Sequence, residues 1–188
     1  MKYKGVLLSS VLLGAAMFSF GAVAGEDCPV GLVSGMTLDD EFGPGTQALT
    51  RCLQKTKKVK VVYQIHNTCK DSGCTAPYAL GNIKNAIKDY EITHGLDKDD
   101  YQIVAIVHSG GTGLVLNNNA ANPNAISNPF QKAMEDVIGL GVKVYYCQNT
   151  ARKKGVKTDQ LIEGVGYVTA GVTAIADLQL KGFAYVQP

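Results

Sequence analysis

From residue 58 onward, short runs rich in Val, Ile and Tyr alternate with longer segments whose apolar positions recur every three or four residues. Lys58 to Ile65 reads as a buried strand. Pro77 to His94 reads as an amphipathic helix with Leu80, Ile83, Ala86, Ile87 and Tyr90 on its apolar face and Pro77 near its start. Tyr101 to Val107 is a second strand, and a loop rich in Gly and Asn then leads through Asn128-Pro129 into a helix that ends near Gly139-Leu140-Gly141. Val142 to Tyr146 is a third strand, followed by helical turns through Lys154 and again from Thr158 to Glu163. Gly166 to Thr169 gives a short strand, Val172 to Leu180 an apolar helix closed by Gly182, and Phe183 to Val186 a last strand.

Strands that are apolar on both faces and alternate with helices predict an α/β fold. The expected form is a three-layer αβα sandwich around a mostly parallel sheet of about five strands. Right-handed crossovers then bring every strand-to-helix loop to one edge of the sheet. Three of those loops carry chemistry: Cys69 to Cys74 after the first strand, His108 to Gly113 after the second, and Cys147 after the third.

The amino end changes the compartment. Lys2 and Lys4, an apolar run from Gly5 to Phe20, and Ala22-Val23-Ala24 form the three-part pattern of a cleaved secretory signal. The apolar run is too short to favour a membrane anchor. The expected organisation is a signal peptide over 1–24, an amino-terminal extension over 25–57 with a short helix from Thr46 to Lys55, and one domain over 58–188. The mature chain is then expected in an oxidising space, a bacterial periplasm. Subtracting Lys2 and Lys4 from the 18 basic residues leaves 16, equal to the 16 acidic ones. A neutral chain argues against a nucleic acid or an anionic membrane as partner. The cluster Lys55, Lys57, Lys58 and Lys60 reads as a solvated face.

Export makes the five cysteines informative, because an odd number leaves one over. Cys69 and Cys74 flank Lys70-Asp71-Ser72-Gly73, a turn-forming stretch that can bring them within bonding reach. Cys28 and Cys52 both lie in the extension. Closing the 69–74 loop stabilises by about 2 kcal/mol and the 28–52 loop by about 3.5 kcal/mol. Cys28–Cys52 therefore reads as a structural staple, and Cys69–Cys74 as the redox pair. Cys147 is left as the lone thiol. It ends a buried strand where helical turns begin, so free backbone N–H groups favour its thiolate, and Arg152, Lys153 and Lys154 add positive charge. A buried, inert cysteine is the bland alternative.

The other constellations are weaker. His108-Ser109-Gly110-Gly111-Thr112-Gly113 is neither a phosphate-binding Walker loop nor a full GxGxxG, so no nucleotide cofactor is expected. A tight turn or a site for a small sulfur oxyanion or thiol fits it better, with His108 orienting or deprotonating the ligand, or serving in packing. His66, Cys69 and Cys74 would suit a soft metal, yet the chain has no CxxC, no HExxH and no haem-attachment motif, so no metal is assigned. Of Tyr145 and Tyr146, one ring should point inward and the other lie near the thiol. The stretch of Asn117-Asn118-Asn119 and Asn122-Pro123-Asn124 reads as a mobile loop without chemistry of its own, though such a loop could gate the site.

Together "VVYQI", "IVAIVHSGGTGLVL", the Asn128-Pro129 helix start, "GVKVYYCQNTARKKGV" and "GVTAIADLQLKGFAYV" resemble the DsrE/DsrF-like sulfur-relay family, in particular its exported single-domain members. The resemblance covers roughly residues 58–188. It implies a flavodoxin-like sheet, homo-oligomers, and a cysteine that accepts sulfane sulfur as a persulfide and passes it on. Only Cys147 matches that cysteine. Cys69 and Cys74 are not part of the family's pattern, and together with His108 and Arg152 they complete the expected site. The partners implied are sulfur donor and acceptor proteins or small sulfane-sulfur compounds. A non-enzymatic module binding a small ligand or a soft metal is the alternative.

Overall fold

The computed structural model describes residues 58–69, 74, 76–118 and 128–188. The expected signal peptide, the helix from Thr46 to Lys55, the Cys28–Cys52 pair and most of the Asn-rich loop lie outside them. Five strands form one sheet: β1 (Val59–Asn67), β2 (Tyr101–Gly110), β3 (Lys143–Cys147), β4 (Val165–Val168) and β5 (Ala184–Val186). Their spatial order is β4-β3-β2-β1-β5, and every neighbouring pair is parallel. The helices are α1 (Tyr78–Lys88), α2 (Gln131–Gly139), α3 (Gln148–Lys154) and α4 (Gly171–Leu180).

The β pleat sends alternate residues to opposite faces. Val61, Tyr63 and Ile65 of β1, Ala105 and Val107 of β2, and Val144 and Tyr146 of β3 join α1, α2 and Ala151 of α3 in the larger core. The other face has a smaller core of Val62, Val104, Ile106, Ile175 and Phe183, covered by α4. The chain therefore steps from β1 to β4 with its helices on one face. It then crosses on the opposite face to set β5 beside β1. Successive connections change face between β3 and β4, and the carboxyl ends of those two strands flank the crevice where open α/β sheets bind ligands.

Several boundaries differ from the sequence expectation for local reasons. The first helix is α-helical only to Lys88 and continues as a π-helical turn over Asp89–Thr93, where the His94 N–H reaches the Asp89 carbonyl. The helix expected from Thr158 to Glu163 is a single 3-10 turn, Thr158–Gln160. Strand β2 runs three residues past Val107, so His108, Ser109 and Gly110 are strand rather than loop, and Gly111–Leu114 makes a 3-10 turn. The glycines permit this: a Cβ on Gly110 would lie 2.7 Å from the His66 carbonyl oxygen, and one on Gly111 2.7 Å from that of Ile65. Here glycine serves backbone contact between β2 and β1.

Candidate functional site

Cys147 is both the last residue of β3 and the residue that caps α3. It is free, and only 5% exposed. Two helix starts converge on its sulfur. On the α3 side, the N–H groups of Asn149 and Thr150 and the Thr150 hydroxyl lie close enough to favour its thiolate. From α4 the Gly171 N–H reaches Sγ at 3.3 Å. Burial pushes the thiol pKa up, but these hydrogen bonds, Thr150's first, outweigh it and hold it below the ordinary cysteine value. The Thr150 hydroxyl is aimed by its own partner: the Ser109 N–H donates to Thr150 Oγ1 at 3.2 Å, leaving the hydroxyl proton for sulfur. Ser109 adopts φ +52° to present that N–H.

His108, on β2 beside β3, lies next to the Gly171 amide that reaches this sulfur. The Gln64 carboxamide oxygen accepts from the Tyr185 hydroxyl, so its NH2 faces His108 Nε2 at 2.8 Å and makes that nitrogen an acceptor. His108 Nδ1 then donates to Ser109 Oγ at 3.0 Å. With both nitrogens engaged, the ring stays neutral: burial first, and His66 second, lower its pKa. The ring lies against Gly171, where a Cβ would come within 3.2 Å of it. The ring thus packs against the start of α4, beside the amide that reaches the sulfur.

Cys69 and Cys74 are joined in a disulfide with their Cα atoms 5.8 Å apart. Bonded to each other, neither sulfur is a thiolate ligand, and no group of three His, Cys, Asp or Glu among the described residues is placed to hold a metal. Cys69 follows β1 and Cys147 ends β3, so both lie at the carboxyl edge. With β2 between them, their strands are offset by about 10 Å at ~4.8 Å per strand. Arg152, Lys153 and Lys154 are exposed on α3, and the groups that lower the thiol pKa are amides and a hydroxyl. Tyr146 is fully buried, with its hydroxyl 2.9 Å from Thr112 Oγ1, while Tyr145 lies half-buried on the face that carries Cys147. Sequence reasoning missed Thr150, Gly171, Ser109, Gln64 and Tyr185. Thr150 was reachable from the rule that the first turn of a helix offers free donors.

A parallel α/β sheet with a donor-ringed thiol between two helix starts is the frame of a flavodoxin-like, thiol-bearing protein. The chain belongs to the DsrE/DsrF-like family, whose model matches residues 59–188. Among solved structures it resembles the protein of unknown function MTH1491 from Methanobacterium thermoautotrophicum. Identity there is 25%, the match covers 70% of this chain and 100% of that one, and the TM-score is 0.52. The ychN protein from E. coli aligns at 19% identity over 69% of this chain and 100% of its own, with a TM-score of 0.47. No curated protein sequence matches the chain.

Proposed function

We propose that this is an exported, periplasmic sulfur carrier of the sulfurtransferase type. The Cys147 thiolate takes sulfane sulfur from a polysulfide or thiosulfate-derived donor as a persulfide and hands it to an acceptor thiol. The observation that carries this reading is the Gly171 N–H donated to Cys147 Sγ at 3.3 Å, with donors of Asn149 and Thr150 in the first turn of α3 close enough to favour the thiolate. Such donors stabilise negative charge on the attacking sulfur and on the terminal sulfur's leaving partner alike. Cys69 and Cys74 serve as acceptor and reductant when reduced: the Cys147 persulfide and two thiols give the Cys147 thiol, the Cys69–Cys74 disulfide and hydrogen sulfide. The strand offset of about 10 Å favours handover through a mobile acceptor thiol. On α4, Val172 and Leu180 are 67% and 87% exposed, which supports assembly into homo-oligomers, measurable by sedimentation velocity.

Treatment with polysulfide should add the mass of one or more sulfur atoms to Cys147, as read by mass spectrometry of the intact chain. If Cys147→Ser gains sulfur as readily as wild type, the assignment is wrong. The low exposure of Cys147 favours a second reading, a non-enzymatic binding module with an inert thiol. Rapid alkylation of the native protein near neutral pH supports the carrier; protection until denaturation supports the module.

A further inference from the structure

We propose that a peptide-borne thiol opens the Cys69–Cys74 disulfide by attacking Cys74 from the hollow along α1. Cys69 then leaves into the cleft at the carboxyl end of β1, where His66 donates a hydrogen bond to it. The two sulfurs border different spaces. Cys74 lines an open hollow of about 410 Å³ with Ala76, Pro77, Gly81, Asn82 and Asn85. Cys69 lines a narrower cleft of about 110 Å³ with His66, Thr68 and Pro188 among others. Tyr78 lines both. Ligand pockets run from ~300 to ~1,000 Å³. The hollow falls in that range and the cleft does not, so a thiol carried on a short peptide reaches Cys74 and not Cys69.

A thiolate displaces along the line of the bond it breaks, so attack on Cys74 from the hollow sends the Cys69 sulfur toward the cleft. His66 stands ready there as a donor. The Gln187 NH2 lies 3.4 Å from His66 Nδ1 and donates to it, which leaves the ring proton on Nε2. Among the described residues, no hydrogen-bond partner meets that Nε2–H. A hydrogen bond to a thiolate favours its charged form, and a better-stabilised leaving thiolate departs faster. The hollow suits a peptide in its turn. No described residue lining it is charged, and the Asn82 and Asn85 carboxamides can pair with a peptide backbone. Nothing overhangs Gly81, where an added Cβ would meet no atom within 4 Å.

In the first step the incoming thiol loses its proton to water, and its thiolate attacks Cys74 Sγ. A bond forms between Cys74 and the peptide sulfur as the Cys69–Cys74 bond breaks. The electron pair leaves on Cys69 Sγ, which accepts the hydrogen bond from His66 Nε2–H and then takes a proton from water. A second peptide thiolate attacks the peptide sulfur of the mixed disulfide, releasing the peptide disulfide and the Cys74 thiolate, which water protonates. Two thiols are oxidised to one disulfide, and the protein disulfide is reduced to two thiols. This step supplies the dithiol that sulfide release consumes, yet it proceeds without Cys147, so a Cys147→Ser chain separates it from the carrier reading.

The test uses the full chain with Cys147→Ser, glutathione as the probe, and quenched alkylation followed by tryptic mass spectrometry. Cleavage after Lys70 puts Cys69 and Cys74 on separate peptides. The trapped mixed disulfide should carry glutathione on Cys74 and the alkyl group on Cys69. Gly81→Leu fills the hollow, and should slow opening by glutathione roughly fivefold while opening by the much smaller hydrosulfide stays within about twofold. His66→Phe removes the donor and should slow opening by glutathione roughly fivefold, and His66→Gln, which keeps an N–H, should restore it to within about twofold. In the reduced protein at pH 7, His66→Phe should slow alkylation of Cys69 and leave that of Cys74 unchanged. Glutathione on the Cys69 peptide, an unaltered glutathione rate in Gly81→Leu, or Cys69 alkylation unchanged in His66→Phe overturns the proposal.

Discussion

The two faces of the sheet are built from alternate residues of the same strands, yet they do different work. Toward α1, α2 and α3 point Ile65, Val107 and Tyr146, each fully or almost fully buried. Their immediate neighbours Gln64, His66, His108 and Cys147 point toward α4, where the smaller core of Val62, Val104 and Ile106 gives way to polar groups at the carboxyl edge. One face is apolar to its end; the other ends in the free thiol and polar groups. A strand that is apolar on one face along its whole length leaves the other face free to change character near its end.

The sharpest way to break this comparison is to truncate adjacent residues. Ile65→Ala should cost about 2–5 kcal/mol in urea denaturation, because Ile65 is 1% exposed in a packed core. Gln64→Ala should cost only about 1 kcal/mol, since it loses hydrogen bonds in a half-buried setting. Equal costs would contradict the division of labour.

Next in size is Gly171→Ala. The added Cβ must displace the His108 ring or the start of α4, and so loosens the Gly171 N–H on Cys147 Sγ. Hydrogen bonding to the thiolate is what lowers the pKa, so its loss raises the pKa and shrinks the thiolate fraction at neutral pH. Alkylation of Cys147 at pH 7 should slow about tenfold, the equivalent of roughly 1.4 kcal/mol, with the urea midpoint little changed. Thr150→Val should act in the same direction but by a few-fold, since it removes the hydroxyl and keeps the backbone donor. Thr150→Ser should restore the wild-type pH dependence of alkylation.

The smallest effect is expected from Arg152→Gln. Arg152 is exposed, and screening at physiological salt leaves such a charge little influence on a thiol ringed by amides. Its alkylation rate should stay within about twofold of wild type. A larger change would mean that the basic run, rather than the donor ring, activates the sulfur.

Most of the frame was legible in the chain. Runs such as Val59 to Ile65 and Tyr101 to Val107 are apolar on both faces, which only a covered parallel strand requires, and the order β1 to β4 follows from short crossovers. Cys147 could be placed at a strand end because the pattern changes from period two to helical there. The donors around it divide by range. Thr150 is three residues away and falls within local helix logic. Gly171 is 24 residues away, and its role arises only when α4 packs beside His108. The partners of His108 divide in the same way: Ser109 is its chain neighbour, whereas Gln64 comes from the adjacent strand, and together they occupy both ring nitrogens. The cationic run Arg152-Lys153-Lys154 is conspicuous in the sequence but faces solvent.

Ser109 adopts a left-handed backbone, a shape that costs a side-chain-bearing residue roughly 1–2 kcal/mol and that glycine accepts freely. Laboratory evolution for heat resistance alone would therefore be drawn toward Ser109→Gly. The hardened protein would keep its shape, but the amide that aims Thr150 would swing more widely, so toughness at this hinge trades against a poised sulfur.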